Sequence, residues 1–212
     1  LVGEEVLDLA PPQARRIDVG KEGFGPSTAQ ADIHAALVTA ALSGARVVRL
    51  KGGDTGVFAR LDEEIAALEA AGLSFRILPG LTTASVAAAA IGQSLTKRGR
   101  NTGLRILTGH VMEGFAEQDW RGLARAGEVA AIYMGKKSAR YLQGRLMMHG
   151  AAAETPVTVV ENVSRADQRV LAATLATLPA ALAGITGPAI LLYGLAPRAA
   201  VPALNQLKEA RA

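Results

Sequence analysis

RVVRLKGGDTGVF, residues 46–58, decides how the rest of the chain is read. Val47, Val48 and Leu50 make a short β-branched and aliphatic run between Gly44 and Gly52-Gly53, the pattern of a buried strand that runs straight into a loop. A helix is expected next. Leu61, Ile65 and Leu68 recur at helical spacing, Asp62, Glu63 and Glu64 fill the first turn where the macrodipole favours acids, and Gly72 is the stop. Strand, glycine-rich turn with one acid, and helix put the turn at the carboxyl end of a strand, where open α/β sheets hold their ligands. Two adjacent glycines let backbone approach a small molecule closely, and Asp54 adds a fixed acceptor. KGGD by itself is a weak signal, and a turn with a structural acid is the better reading of it in isolation.

The flanking segments repeat the pattern. Residues 15–20 (RRIDVG) read as a strand entering a glycine-rich turn, and Ser27 with Gln30 reads as a capping box for a helix over 31–42 that turns Ile33, Leu37 and Ala41 inward. Lys21 then sits at the carboxyl end of that strand, on the rim that carries Asp54 if the strands are parallel. Residues 74–78 (SFRIL) are another expected strand, turned by Pro79-Gly80 into a helix over 81–91 whose Thr82, Thr83 and Ser85 suit either capping or a ligand at the helix start. The order βαβαβα with short loops predicts a parallel sheet. Polar residues and the basic cluster Lys97, Arg98 and Arg100 interrupt the pattern over 93–104, so the domains are drawn at 1–96 and 97–212. Expected strands follow at 105–108, 129–133, 156–160 and 188–193, with a helix at 136–149 and an apolar segment over 169–183. The second half is again α/β, and its strands end in Gly109-His110, Met134-Gly135 and Glu161-Asn162.

Composition narrows the classes. Half of the 212 residues are apolar, enough for a sizeable core, while aromatics make up only 4%. The absence of cysteine excludes disulfides, thiolate metal sites and a cysteine nucleophile, and three scattered histidines form no metal motif. No secretory leader pattern opens the sequence and no apolar run is long enough to cross a bilayer, so a cytoplasmic protein without a membrane partner is expected. Lys and Arg balance Asp and Glu at 11 each over residues 1–100, but exceed them by 12 to 8 over 101–212. A basic half suits a polyanionic metabolite or a nucleic acid, and the lack of interleaved aromatics argues against the latter.

Motif by motif the chain resembles the tetrapyrrole (corrin and porphyrin) methylases, and within them the uroporphyrinogen branch. The resembling residues are VVRLKGGD (47–54), FRILPGLTTAS (75–85), LTKRG (95–99), LTGH (107–110), YMG (133–135), TPVTVVEN (155–162), RADQRV (165–170) with TLATL (174–178), and PAILLYG (188–194). The resemblance implies two α/β domains of the class III methyltransferase type, with the active site in the cleft between them, in a homodimer. It implies transfer of two methyl groups from S-adenosylmethionine to uroporphyrinogen III, giving precorrin-2 and S-adenosylhomocysteine. By matching positions, the cofactor contacts are Gly52, Gly53, Asp54, Val57, Thr82, Thr83, Met134, Val163, Pro188 and Ala189. Lys21 matches a lysine proposed as a proton donor, and Arg98, with Arg100 beside it, falls where substrate carboxylates are met. The family also places a strand, a Pro-Gly-Asp loop and a proposed aspartate base ahead of the counterpart of Leu1, so the sequence is expected to be a fragment. Thr55-Gly56, residues 59–62, Lys97 and Val163 depart from the family pattern, which bears on substrate preference more than on fold.

The residue list suits such chemistry. A sulfonium is already an activated methyl donor, so an electron-rich pyrrole carbon held in line needs neither a protein nucleophile nor a metal. Proton removal needs a base, and forked arginines match carboxylates better than lysines do. The alternatives are a sister methylase acting on a later precorrin or on RNA, and a non-catalytic ligand-binding module. A dinucleotide dehydrogenase is disfavoured because no GxGxxG opens a helix.

Overall fold

The computed structural model describes residues 2–20, 28–111 and 114–200. The chain divides into two compact units, Leu1–Thr82 and Thr83–Ala212.

The first unit contains helices α1 (Glu4–Leu7), α2 (Gln30–Leu42) and α3 (Leu61–Ala70). α2 starts where its apolar spacing predicts, with Ile33 buried and Leu37 and Ala41 half-buried. Its N-cap is Ala29, whose side chain makes no capping bond, and Ser27 of the expected capping box lies outside the described residues. The three expected strands are the main correction. Among the described residues, 15–20, 46–50 and 74–78 pair with nothing in a ladder, and Val47, Val48, Leu50, Phe75, Ile77 and Leu78 are exposed. A strand exists through its hydrogen bonds to a neighbour, and β-branched residues express only a preference for that setting.

The second unit is an α/β layer structure. Helix α4 (Thr83–Ala90) is followed by β1 (Arg105–Thr108), the short hairpin strands β2 (His110–Val111) and β3 (Gly114–Phe115), α5 (Trp120–Leu123), β4 (Ala130–Tyr133) and α6 (Ala139–Met148). Then come β5 (Pro156–Glu161), β6 (Arg169–Thr174), α7 (Leu178–Ala181), β7 (Ala189–Tyr193) and a 3₁₀ turn at Arg198–Ala200. Five strands pair in the order β1-β4-β7-β5-β6. β1 and β4 are parallel, whereas β7 runs antiparallel to both β4 and β5, and β6 antiparallel to β5. The segment 162–168 is too short for a parallel crossover, so β6 has to return beside β5. β6 and α7 divide the apolar segment 169–183, with Pro179 in the first helical turn, where its missing N–H costs nothing.

Both sheet faces are covered, which is why AAIY and AILLY read as continuous apolar runs. Alternation along β4 sends Ala130 and Ile132 into one core with Trp120, Leu142, Leu146 and Leu178, and Val129 and Ala131 into another with Ala84, Ala87 and Ile91. The alanine run of α4 allows this second approach, since Ala84 and Ala87 are wholly buried. Among the described residues no helix is long and apolar enough to cross a membrane.

Candidate active site

In the second unit, β1, β4 and β5 point the same way, so residues just beyond their carboxyl ends share one edge of the sheet. β7 arrives at that edge in reverse: Ala189 is opposite Glu161, and the Asn162 N–H donates to the Pro188 carbonyl at 2.9 Å. Met134, Val163, Pro188 and Ala189, far apart in sequence, therefore lie along a single rim. The N-terminus of α4, with Thr83 as its first residue, is fixed to the same end of β4 because the Ala84 N–H donates to Tyr133 Oη at 3.0 Å.

The backbone of this rim is strained. Met134 has φ +53° yet presents a half-exposed apolar side chain, and Asn162 and Ser164 have φ +51° and +66°. Left-handed conformations cost non-glycine residues free energy and concentrate at ligand sites. Behind Met134 the chain packs too tightly for a larger residue, since a Cβ on Gly135 would lie 2.6 Å from Leu191 Cδ1. Asn162 is buried and donates from Nδ2 to Asp167 at 2.6 Å, which leaves its Oδ1 a buried acceptor without a partner among the described residues. Glu161 is the anchor below. Its carboxylate accepts from the Thr186 and Gly187 N–H groups at 2.9 and 2.6 Å and from Arg169 Nε at 2.7 Å. Burial pushes its pKa up, but the bonds from Gly187, Arg169 and Thr186 together outweigh burial and hold it below the ordinary value.

In the first unit Asp54 clasps two turns. Oδ1 accepts from the Gly56 N–H at 2.8 Å, and Oδ2 accepts from the Gly80 N–H at 3.0 Å. The turns touch so closely that a Cβ on Gly80 would overlap the Gly53 carbonyl oxygen. Gly52 and Gly53 are exposed, Gly53 with φ +87°, and the half-buried Val57 returns its N–H to the Asp54 carbonyl at 3.4 Å. Beneath the loop is a buried ion pair, Lys51 Nζ to Glu64 Oε2 at 2.8 Å, joined by Arg49 at 3.2 Å. Read from sequence, Glu64 is only one of three first-turn acids. The signal for its role is Arg49 and Lys51, two residues apart and so on one side of an extended segment.

The basic stretch is organised around a residue with no sequence signal, Asn101. Its Nδ2 donates to the Leu95 and Gly103 carbonyls, and its Oδ1 accepts from the Lys97 N–H and from Arg100 Nε. Arg100 also donates from Nη2 to the Ser94 carbonyl at 2.7 Å, and burial lowers its pKa. Two of its donors thus hold its own loop, whereas Arg98 is exposed. Thr82 is half-buried just ahead of α4, and Lys21 lies outside the described residues.

The sequence matches a known family. The family profile described as Tetrapyrrole (Corrin/Porphyrin) Methylases matches residues 1–179. The chain belongs to this family. Among curated tetrapyrrole methylase relatives it is 44% identical to siroheme synthase 1 of Yersinia enterocolitica and 40% identical to siroheme synthase of Edwardsiella ictaluri, over 92% of its own length in each case. It spans 41% and 42% of those two proteins. Among solved structures it is similar to the uroporphyrin-III C-methyl transferase from Thermus thermophilus complexed with S-adenyl homocysteine. That match has a TM-score of 0.73 and 31% identity and covers 90% of this chain and 80% of that one. A cobalt precorrin-4 methyltransferase, at 22% identity and a TM-score of 0.78, shares the fold.

Proposed function

We propose that the chain is the S-adenosylmethionine-dependent methylase that adds two methyl groups to uroporphyrinogen III, forming precorrin-2, and that it acts in the cytoplasm as a homodimer. The observation that carries this reading is the rim of the second sheet, which gathers Met134, Val163, Pro188 and Ala189 at one sheet edge beside Asn162, whose buried Oδ1, packed against Gly187, has no partner among the described residues. An orphaned buried acceptor is costly unless a ligand supplies its donor, and a polar adenosyl group supplies donors. The residues present therefore fit that cofactor. Met134, Val163, Pro188, Ala189 and Thr83 would hold it in the second unit, and Gly52, Gly53, Asp54, Val57 and Thr82 in the first.

When bound, S-adenosylmethionine supplies a methyl group on a cationic sulfonium. The exposed glycines at 52 and 53 leave backbone free to meet the ligand, and the apolar Met134 side chain, fixed by its unusual backbone, excludes water from one side of it. Arg98 meets substrate carboxylates, and Lys21 holds or delivers the proton that the pyrrole exchanges. Arg98→Ala is expected to raise KM for uroporphyrinogen III about tenfold while leaving affinity for S-adenosylhomocysteine unchanged. Equal losses in kinetic and calorimetric measurements would reject that role.

The direct test is incubation of the chain with S-adenosylmethionine and uroporphyrinogen III, followed by the absorbance of a dimethylated product and by transfer of labelled methyl. No turnover from the folded protein would instead favour a non-catalytic module.

A further inference from the structure

The residue directly ahead of Gly52-Gly53 is a buried lysine to which none of the roles above gives a part. Lys51 keeps 7% of its side chain exposed, and Glu64, its partner one turn into α3, keeps 5%. A buried ion pair is a poor source of stability, because the cost of taking two charges out of water offsets their attraction. The best-attested use of such a pair is to fix one arrangement of the chain. Here the arrangement is that of a candidate ligand loop.

The Lys51 ammonium reaches both ends of that loop. Besides meeting Glu64 Oε2 at 2.8 Å, Nζ donates to the Ala59 carbonyl at 2.5 Å. One side chain therefore ties residue 51 to residue 59 and closes the loop between them, with Gly52, Gly53, Asp54 and Val57 inside it, over the start of α3. Arg49 is a second strut, donating from Nε to Glu64 Oε1 at 3.2 Å and from Nη1 to the Leu50 carbonyl at 3.0 Å. The carboxylate thus gives one oxygen to each cation. The backbone so closed is not relaxed, since Phe58 and Arg60 have φ +50° and +57°. Non-glycine residues hold such conformations only where their surroundings over-determine them. The N-cap of α3, Arg60, makes no side-chain capping bond, so the helix start does not hold the loop by itself. A lysine suits the position because an ammonium is a compact charge with three donors, whereas a guanidinium is a flat fork.

We infer that Lys51 and Glu64 are positioning residues for the cofactor: they fix the base of the loop so that the Gly52–Asp54 backbone meets the ligand, while their own side chains, being buried, do not touch it. Asp54 fastens the outer part of the same loop to the turn at Gly80. The inference rests on the proposed function for the identity of the ligand.

The test replaces the pair as a whole, because removing one partner leaves the other charge buried and alone. Lys51→Met/Glu64→Leu puts apolar side chains of similar size in its place, and Arg49, 29% exposed, is left to water. The expected result is an unfolding midpoint no lower than that of the wild type, together with calorimetric affinity for S-adenosylhomocysteine weakened about tenfold, the effect of one lost hydrogen bond to a charged group. KM for S-adenosylmethionine should rise by the same factor while KM for uroporphyrinogen III holds, a split that loss of folded protein does not produce. Lys51→Arg, which keeps a cation opposite Glu64 but not the bond to Ala59, should weaken S-adenosylhomocysteine in the same direction. Glu63→Gln, which breaks the exposed Arg60–Glu63 pair at the same end of the loop, should change neither constant. Wild-type affinity in either Lys51 variant, or a loss matched by Glu63→Gln, overturns the inference and leaves the proposed function standing. A wild-type protein that binds no S-adenosylhomocysteine overturns both. Weakened binding in both Lys51 variants of a protein that transfers no methyl overturns the enzymatic reading alone.

Discussion

Asp54→Ala is expected to abolish measurable binding of S-adenosylhomocysteine, a loss on the order of 100-fold or more, while the chain stays folded. The carboxylate does two things that no neighbour can replace. Its two oxygens accept from Gly56 and from Gly80, at 2.8 and 3.0 Å, and so hold the turn after residue 51 against the turn after residue 78. Removing it loses two exposed backbone hydrogen bonds, each worth only about 0.5–1.5 kcal/mol because water can serve the freed donors. It also frees Gly53 and Gly80 to separate, and the ligand-facing backbone with them. The charged residues beneath the loop are untouched, because Lys51 is held by Glu64 rather than by Asp54. Asp54→Asn keeps one acceptor oxygen and should fall between wild type and Asp54→Ala. Calorimetry decides the matter, and an unchanged affinity for Asp54→Ala removes Asp54 from the binding site.

The second unit was largely legible because its signals are local. Runs such as PVTVV and PAILLY are too apolar to be anything but two-sided strands, and β1, β4, β5 and β7 form within a residue of the expected bounds. α6 begins at Ala139 rather than at residue 136; Leu142 and Leu146, at helical spacing, are buried, whereas Tyr141 is half-buried. The direction of β7 was not legible, because a strand's apolar pattern is the same in either direction. β6 escaped notice as a strand because its alternation is weak, an edge strand with Val170 exposed, and it merges with the apolar residues of α7.

The first unit shows the opposite limit. Its helices follow from spacing within one segment, but its strands depend on a partner, and 46–50 lies exposed without one among the described residues. Of the site residues, those whose chemistry is carried by backbone shape were the easier to place. Gly53 adopts the positive φ that its type permits, and the bend at Met134 falls directly after the strand that ends in YMG. Glu64 and Asn101 were missed as organisers because their partners come from other segments, which no spacing rule reports.

Glu161→Ala is expected to cost the second unit about 2–4 kcal/mol, the largest stability effect among these substitutions. The carboxylate is 3% exposed, and its three donors come from two directions: Arg169 on the neighbouring strand, and the Thr186 and Gly187 N–H groups on the approach to β7. Deleting it leaves a partly exposed guanidinium, which water can serve, and two amides that are folded against the sheet end. Most of the loss therefore arises from the amides, and Glu161→Gln, which retains one accepting oxygen, should cost less than half as much. Because bonding holds the folded pKa of Glu161 below its ordinary value of 4.5, the pair's contribution is complete above that pH and disappears as pH falls through the folded value. Urea unfolding monitored by Trp120 at pH 7 and again below pH 4.5 should show the wild type losing stability and Glu161→Gln losing less of it. Equal slopes for the two proteins would mean that the titrating group lies elsewhere. The same substitution also reaches the rim, since Asn162 and Pro188 are positioned by the strand pair that Glu161 ties down, so cofactor affinity should fall together with stability.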